Sequence, residues 1–149
     1  MGSLNLPATG PIYLDAQCVI YSVEKHPVFF PLLRPLWRAV QSGTHEVVTS
    51  ELTILESLTG PLKRGDRPTA LNFERFFLHA GIRLLPITAV VLRAAAHLRA
   101  SIAKLKTPDS IHVATAQLVG ASLLVTNDLD FRSIAAPPTI LLRDLLTSP

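Results

Sequence analysis

Residues 107–131 read TPDSIHVATAQLVGASLLVTNDLDF, and they predict a helix followed by a tight turn and a buried strand. Thr107 is suited to the N-cap of the helix, and Pro108 fits its first turn. Residues at helical spacing mark one packed face, namely Ile111, Ala114, Thr115 and Leu118. Gly120 is expected to end the helix, because glycine adopts the left-handed backbone conformation easily.

Acidic residues lie at both ends of this unit. Residues 122–126 form a short apolar run typical of a strand covered on both faces, and Asp128 follows at its carboxyl end. Asp109 lies in the first turn of the preceding helix, where a negative charge also complements the helix dipole. An Asn-Asp pair after a strand also forms turns, so a functional role depends on further carboxylates at the same place.

The rest of the chain alternates between short apolar runs and helical patterns. Besides 122–126, strands are predicted at 11–14, 46–49, 82–85 and 139–142, and a short polar tail follows the last. Helices are predicted at 18–23, 36–42, 50–58, 69–78 and 88–105. This alternation predicts an α/β fold whose parallel sheet is covered by helices on both faces.

Prolines and capping residues define the expected helix boundaries. Pro31 and Pro35 are expected to prevent a regular helix through the first half of residues 28–42. Ser50 and Thr88 are suited to the N-caps of the helices that follow them.

Four carboxylates are expected to meet at one edge of this sheet. Right-handed crossovers place the carboxyl ends of all strands at the same edge, where ligands bind in open α/β sheets. Asp15 and Asp128 follow strands, Asp109 begins a helix, and Glu56 lies on the apolar side of the helix after the second strand. Glu56 alone could equally pair with an arginine or reach solvent. Together, four carboxylates repel one another, and Mg²⁺ or Mn²⁺ would relieve that repulsion.

The composition is that of one globular domain of 149 residues, 48% hydrophobic and 17% charged. The single cysteine, Cys18, excludes an internal disulfide and a Cys-rich zinc site, and it suits the reducing cytoplasm. No apolar run approaches the length of about 18 residues that a membrane span needs. The first residues, MGSLNLPATG, are not expected to form a signal peptide.

The net charge of +3 is weak evidence for a nucleic-acid partner. An acidic cluster on an otherwise basic surface suits a metal site that acts on a polyanion, although charge alone favours ordinary solubilising charge as the explanation. Lys63, Arg64 and Arg67 lie in a basic turn and are candidates for phosphate contacts, with a solvated loop as the alternative.

Motifs of several other enzyme classes do not occur in the chain. It has no glycine-rich phosphate loop and no GxSxG nucleophile elbow. The five histidines are dispersed. His112 lies one turn from Asp109, and a packed or capping histidine is the favoured interpretation of that position.

Four segments resemble the acidic motifs of the PIN-domain ribonucleases, and most closely those of VapC-like toxins. They are YLDAQCVIY, TSELTILESLTGPLKRGD, TPDSIHVATA and LLVTNDLDF, and they occur in order over residues 12–142. The resemblance implies a three-layer α/β/α sandwich with a parallel sheet of order 3-2-1-4-5. It implies a single domain over residues 1–149, with 1–10 as a flexible tail and a core of about 12–142.

The resemblance also implies the residues of the site. The acidic quartet of the family corresponds to Asp15, Glu56, Asp109 and Asp128, which would be the catalytic and metal-binding residues. Asp130 resembles an accessory acid, and Thr126 and Asn127 resemble the polar residues beside the metal. The family usually has a hydroxyl residue and then Asn or Asp after the first aspartate, whereas this chain has Ala16 and Gln17.

The function implied is hydrolysis of RNA by a cytoplasmic, Mg²⁺- or Mn²⁺-dependent endoribonuclease. VapC-like toxins pair with an antitoxin protein whose tail crosses the acidic pocket, and they commonly form homodimers. Apolar contacts for either partner are expected from two clusters, Phe73 with Phe76 and Phe77, and Val28 with Phe29 and Phe30.

Three alternatives belong to other classes. A PIN-like module that binds RNA or protein without cleaving it would fit the Ala16-Gln17 departure. A haloacid-dehalogenase-like phosphatase would use Asp15 as its nucleophile, but the second aspartate of that class is replaced by Gln17. A receiver-like signalling domain would need an aspartate after the third strand, where Leu85 and Pro86 stand.

Overall fold

The computed structural model describes residues 2–147, which form a five-stranded sheet between two layers of helices. All pairings are parallel, and the strand order is β3-β2-β1-β4-β5. The strands are β1 (Ile12–Leu14), β2 (Val47–Ser50), β3 (Ile82–Leu85), β4 (Leu123–Thr126) and β5 (Thr139–Leu141). The predicted fold class and strand order are confirmed.

Seven α-helices connect and cover these strands. They are α1 (Ala16–Val23), α2 (Phe30–Gln41), α3 (Leu52–Lys63), α4 (Arg67–His79), α5 (Ala89–Ser101), α6 (Thr107–Leu118) and α7 (Leu142–Thr147). A 3₁₀ turn at Leu129–Ser133 follows β4. Residues of α1, α2, α4 and α7 pack on one face of the sheet, and residues of α5 and α6 pack on the other.

Strand β1 lies at the centre of the sheet and contributes to both cores. Its three residues are fully buried. Ile12 and Leu14 point into the core that contains α1 and α2, whereas Tyr13 points into the core that contains α6. This alternation follows from the two-residue period of a strand. It brings Tyr13 beneath the helix that carries Asp109.

Helix α2 corrects the expectation that prolines would interrupt it. Pro31 lies in the first turn, where its missing N–H is not needed, and Pro35 lies inside the helix. Leu32, Leu33 and Leu36 are buried in the main core. Their burial offsets the one backbone hydrogen bond that Pro35 cannot make.

Two predicted N-caps are also corrected. The N-cap of α6 is Lys106, and the carboxylate of Asp109 accepts a hydrogen bond from the Lys106 backbone N–H at 3.4 Å. Ser50 belongs to β2, and its hydroxyl accepts a bond from the Leu52 N–H at 3.0 Å. Thr88 caps α5 as expected, with its hydroxyl 3.2 Å from the Val91 nitrogen. Gly120 has φ +71°, in agreement with the predicted helix stop.

The two ends of the described chain contact each other. Leu4 is buried, and the Gly2 N–H donates to the Leu145 carbonyl at 2.7 Å. Leu4 and Leu6 therefore pack on the core, while residues 8–10 are exposed, and the predicted flexibility of residues 1–10 stays a prediction. Where the sequence predicted a short polar tail after the last strand, the structure has helix α7. The first residue of this helix, Leu142, is buried in the core. Residues 1, 148 and 149 of the predicted domain lie outside the described residues.

Both predicted apolar clusters contribute to the core. Phe73 is fully buried, and Phe76 and Phe77 pack against the core that contains α1 and α2. Phe29 packs on the same core, while Val28 is 45% exposed. Within residues 2–147, none of the helices combines the length and the apolar character needed to cross a membrane.

Candidate active site

An open pocket of about 600 Å³ lies at the carboxyl ends of β1 and β4. It is lined by five acidic side chains: Asp15, Glu56, Asp109, Asp128 and Asp130. The acids that were expected to meet at this edge of the sheet therefore line one pocket. The roles of the individual residues stay predictions, and their environments fall into two groups.

The first group, the aspartate cluster, comprises Asp109, Asp128 and Asp130. One carboxylate oxygen from each lies within 4.8 Å of the others. Asp128 caps the 3₁₀ turn and accepts a hydrogen bond from the Asp130 N–H at 2.9 Å, which draws these two residues together. Burial raises the pKa of the Asp109 carboxyl, the Lys106 N–H bond opposes this, and the charges of Asp128 and Asp130 raise it further.

The aspartate cluster has the composition of a site for a hard divalent cation. Every donor is a carboxylate oxygen, the ligand type that Mg²⁺ and Mn²⁺ prefer, and no cysteine or histidine belongs to it. Three negative charges at this spacing repel one another, and a bound cation would remove that cost. The cluster therefore fits the predicted cofactor.

The second group, the anchored pair, comprises Asp15 and Glu56, whose carboxylates are held by donors of the protein. Asp15 is 5% exposed and caps α1; it accepts hydrogen bonds from the Cys18 N–H at 3.0 Å and from the Thr126 hydroxyl. Burial raises the pKa of the Asp15 carboxyl, and these two hydrogen bonds act against that effect. Neither residue belongs to the aspartate cluster.

Glu56 is bonded to His112, whose Nε2 lies 2.6 Å from Glu56 Oε1. His112 is 3% exposed, whereas the Glu56 side chain is 29% exposed and lines the pocket. The other ring nitrogen of His112 lies 2.6 Å from the Tyr13 hydroxyl. His112 is thus packed, as the sequence suggested, and it also lines the pocket and contacts a predicted site residue.

Arg143 is a basic residue of the pocket that the sequence analysis missed. Its backbone N–H and its Nε donate to the Asn127 side-chain oxygen at 2.9 and 3.2 Å, and its Nη2 donates to the Asn127 backbone carbonyl at 2.7 Å. The Asn127 amide nitrogen donates to the Tyr21 hydroxyl at 3.0 Å. Arg143 follows β5 near its carboxyl end, so the rule that located Asp15 and Asp128 could have found it.

The remaining predicted residues divide between the pocket and the distant end of α3. Gln17 is exposed and lines the pocket, and Thr126 is buried beneath it. Lys63, Arg64 and Arg67 do not line the pocket and lie at the turn between α3 and α4. Arg64 forms a long, exposed ion pair with Asp66 at 3.9 Å. These three positions do not meet the acidic residues.

The sequence model of the PIN domain matches residues 12–137 of the chain. That match covers both strands and both helices from which the acids of the pocket project. The chain belongs to the PIN-domain family. A search of curated proteins gave no match.

Solved structures similar to this PIN domain include chains of three bacterial toxin systems. VapBC2 of Rickettsia felis bound to promoter DNA has a TM-score of 0.71 and 17% identity, covering 88% of this chain and 98% of that one. A Klebsiella pneumoniae toxin–antitoxin complex has a TM-score of 0.63 and 22% identity, covering 88% and 97%. VapC20 of Mycobacterium tuberculosis, described as a sarcin–ricin loop cleaving toxin, has a TM-score of 0.67 and 18% identity, covering 85% and 99%.

Proposed function

We propose that this PIN domain is a Mg²⁺- or Mn²⁺-dependent endoribonuclease and the toxin of a toxin–antitoxin pair. The observation that carries the proposal is the aspartate cluster, three carboxylates within 4.8 Å at the ligand-binding edge of a PIN fold. Membership of the PIN family favours this function over chemistry in which Asp15 would be phosphorylated. The similarity to VapBC chains supports the toxin assignment.

In this proposal the acids divide the work according to their surroundings. Asp109, Asp128 and Asp130 hold the cation, so Asp130 has a larger part than the accessory one implied by the family resemblance. A divalent cation bound there would polarise the scissile phosphate and activate the attacking water. Asp15 and Glu56 are already oriented by protein donors, and they complete the site directly or through water molecules.

Arg143 is the residue we assign to the phosphate backbone of the RNA. Of the described arginines and lysines it is the one that lines the pocket. Its side-chain bonds to Asn127 use Nε and Nη2, which leaves Nη1 available to a phosphate oxygen. Lys63, Arg64 and Arg67 remain proposed contacts for more distant nucleotides, through non-specific charge.

The proposed partners follow from the toxin assignment. They are an RNA substrate, a cognate antitoxin that covers the pocket, and a second copy of the chain in a homodimer. The proposed location is the cytoplasm, where the buried free thiol of Cys18 would stay reduced.

Cleavage of RNA by the purified protein, with added Mn²⁺ or with excess chelator, tests the proposal. We expect cleavage with Mn²⁺, none with chelator, and loss of at least about 100-fold in Asp109→Asn and Asp15→Asn, because each removes one negative group of the site. Asp66→Asn is the matched control, since Asp66 is a partly buried helix cap outside the pocket. Wild-type rates in both site variants would overturn the proposal.

A further inference from the structure

A chain of buried hydrogen bonds leads from the centre of the sheet to Glu56. The Ser50 N–H donates to the Tyr13 hydroxyl at 3.1 Å, and that hydroxyl lies 2.6 Å from His112 Nδ1. His112 Nε2 then lies 2.6 Å from Glu56 Oε1. Tyr13 is fully buried and His112 nearly so, while Glu56 borders the pocket. These hydrogen bonds thus join four elements, β2, β1, α6 and α3.

The donors and acceptors along this chain define which nitrogen of His112 carries the hydrogen. Burial raises the pKa of the Tyr13 phenol, so the hydroxyl keeps its hydrogen at neutral pH. That hydroxyl already accepts the Ser50 N–H, and donating its own hydrogen to Nδ1 gives each group a partner. The imidazole then carries a hydrogen on Nε2 and donates it to Glu56.

We propose that Tyr13 and His112 are positioning residues that hold Glu56 Oε1, leaving Oε2 as the oxygen available to a cation or water in the pocket. This inference rests on the proposed function, because it concerns how Glu56 enters that site. A ligand carboxylate is usually oriented by a hydrogen bond to its other oxygen, and a histidine is oriented through its second nitrogen.

The burial of the chain supports a positioning role. A leucine or phenylalanine would fill the core without requiring buried polar partners, and buried polar groups stabilise a fold only when all are satisfied. Here each donor of this hydrogen-bond chain has an acceptor, and the last acceptor is a residue of the pocket. These hydrogen bonds therefore connect the rigid core to the Glu56 carboxylate at the rim of the pocket and restrict its movement.

The first experiment measures Mn²⁺ binding by titration calorimetry and single-turnover RNA cleavage in His112→Ala, His112→Gln and Tyr13→Phe. We expect His112→Ala to weaken Mn²⁺ binding or cleavage by about 10- to 100-fold, as for other residues that orient ligands. His112→Gln should recover most of the loss, since its amide can donate to Glu56. Mn²⁺ binding and cleavage by Tyr13→Phe should lie between those of wild type and His112→Ala, because the histidine remains but loses the hydroxyl that fixes its ring.

A double-variant comparison separates positioning from general damage to the fold. If His112 acts through Glu56, His112→Ala should have no further effect on Mn²⁺ affinity in a Glu56→Gln background. Additive losses in the double variant would overturn the inference. Circular dichroism of each variant verifies folding, and Tyr13→Phe with His112→Gln preserve the test if His112→Ala does not fold.

Nitrogen NMR of the His112 ring provides a readout independent of activity. In wild-type protein with chelator we expect a hydrogen on Nε2 and an acceptor at Nδ1, and in Tyr13→Phe a mixture of the two ring tautomers. Hydrogen on Nδ1 in wild type would overturn the inference. Failure of the proposed function gives a different result, because RNA cleavage would then be unaffected in Asp109→Asn. If cleavage is lost in Asp109→Asn but unchanged in the His112 variants, only the positioning role is refuted.

Discussion

The aspartate cluster and the anchored pair share one pocket but satisfy their carboxylates in opposite ways. In the cluster, three carboxylates face one another within 4.8 Å. In the anchored pair, Asp15 is held by Thr126 and Cys18, and Glu56 by His112. In the cluster, backbone N–H groups donate to Asp109 and Asp128, whereas in the anchored pair a side chain also holds each carboxylate.

This difference separates two requirements of a cation site. The anchored pair keeps its geometry through bonds of the fold, so it is organised before any ion arrives. The aspartate cluster becomes favourable only when positive charge enters it. We therefore expect the largest loss of cation binding from changes in the cluster. Changes at the anchored pair should cause a smaller loss of cation binding, together with loss of geometry or stability.

The largest expected effect is on cleavage. Asp128→Asn should lower the RNA cleavage rate by at least about 100-fold, because it removes a charged ligand from the cluster. Glu56→Gln keeps an oxygen near His112 and should cost less. Single-turnover rates at saturating Mn²⁺ measure both, and a larger loss in Glu56→Gln would reverse the order we assign to the two groups.

Cation binding should also stabilise the fold. At a Mg²⁺ or Mn²⁺ concentration of 100 times Kd, the free energy of unfolding should rise by about 2.7 kcal/mol, because the ion binds the folded state. Urea unfolding with and without the ion measures this gain. It should vanish in Asp130→Asn and persist in the control Asp66→Asn; a gain retained in Asp130→Asn would exclude Asp130 from the site.

Removing a donor of the anchored pair should instead destabilise the protein. Thr126→Val keeps the side-chain shape but leaves buried Asp15 without one hydrogen bond and the Asp128 N–H without its acceptor, at a cost of about 1–3 kcal/mol. Thr115→Val is the matched control, since this buried hydroxyl bonds only the Ile111 carbonyl of its own helix. Equal losses in the two variants would indicate that Asp15 gains nothing special from Thr126.

The pH dependence of stability without metal tests the repulsion in the aspartate cluster. The folded-state pKa of Asp109 is raised, so the folded protein binds its proton more tightly than the unfolded chain. Its contribution is present below the unfolded pKa, about 3.9, and is lost as pH rises through the higher folded value. In chelator, Asp109→Asn should therefore gain stability relative to wild type from roughly pH 4 to pH 7. Asp66→Asn should show the opposite slope, because the folded pKa of Asp66 is lowered by its bonds to Thr69.

The smallest expected effect concerns the basic turn outside both groups. Arg64→Ala should change the free energy of unfolding by no more than about 0.5 kcal/mol, because the Arg64 pair is exposed and long. Measured by fluorescence anisotropy, Arg64→Ala should weaken RNA binding less than Arg143→Ala does. A stronger effect of Arg64→Ala would move the main phosphate contact away from the pocket.

The positions of four of the five acids along the fold were within reach of sequence patterns, and Asp130 was implied only by the family resemblance. Apolar runs located the strands before Asp15 and Asp128, helical spacing located Glu56 and Asp109, and the direction of parallel strands brought them to one edge. These are local patterns combined with one rule of topology, and they do not depend on details of packing.

The features that were missed depend on contacts between distant residues. Helix α2 continues through Pro35 because buried leucines outweigh the local preference, and α7 forms because Leu142 enters the core. The partner of His112 is Glu56, 56 positions away, and the partner of Arg143 in α7 is Asn127, which follows β4. Periodicity carries no information about such pairs, so the division into two groups required the structure.

The bonds between Arg143 and Asn127 tie the beginning of α7 to the rim of the pocket. Since α7 is only six residues long, it is a natural place for local opening of the backbone. When it opens, Asn127 loses its contacts with Arg143, and the adjoining segment loosens at the same moment. Amide protons of α7 and of the segment around Asn127 should accordingly exchange with solvent deuterium at a common rate, as one cooperative unit.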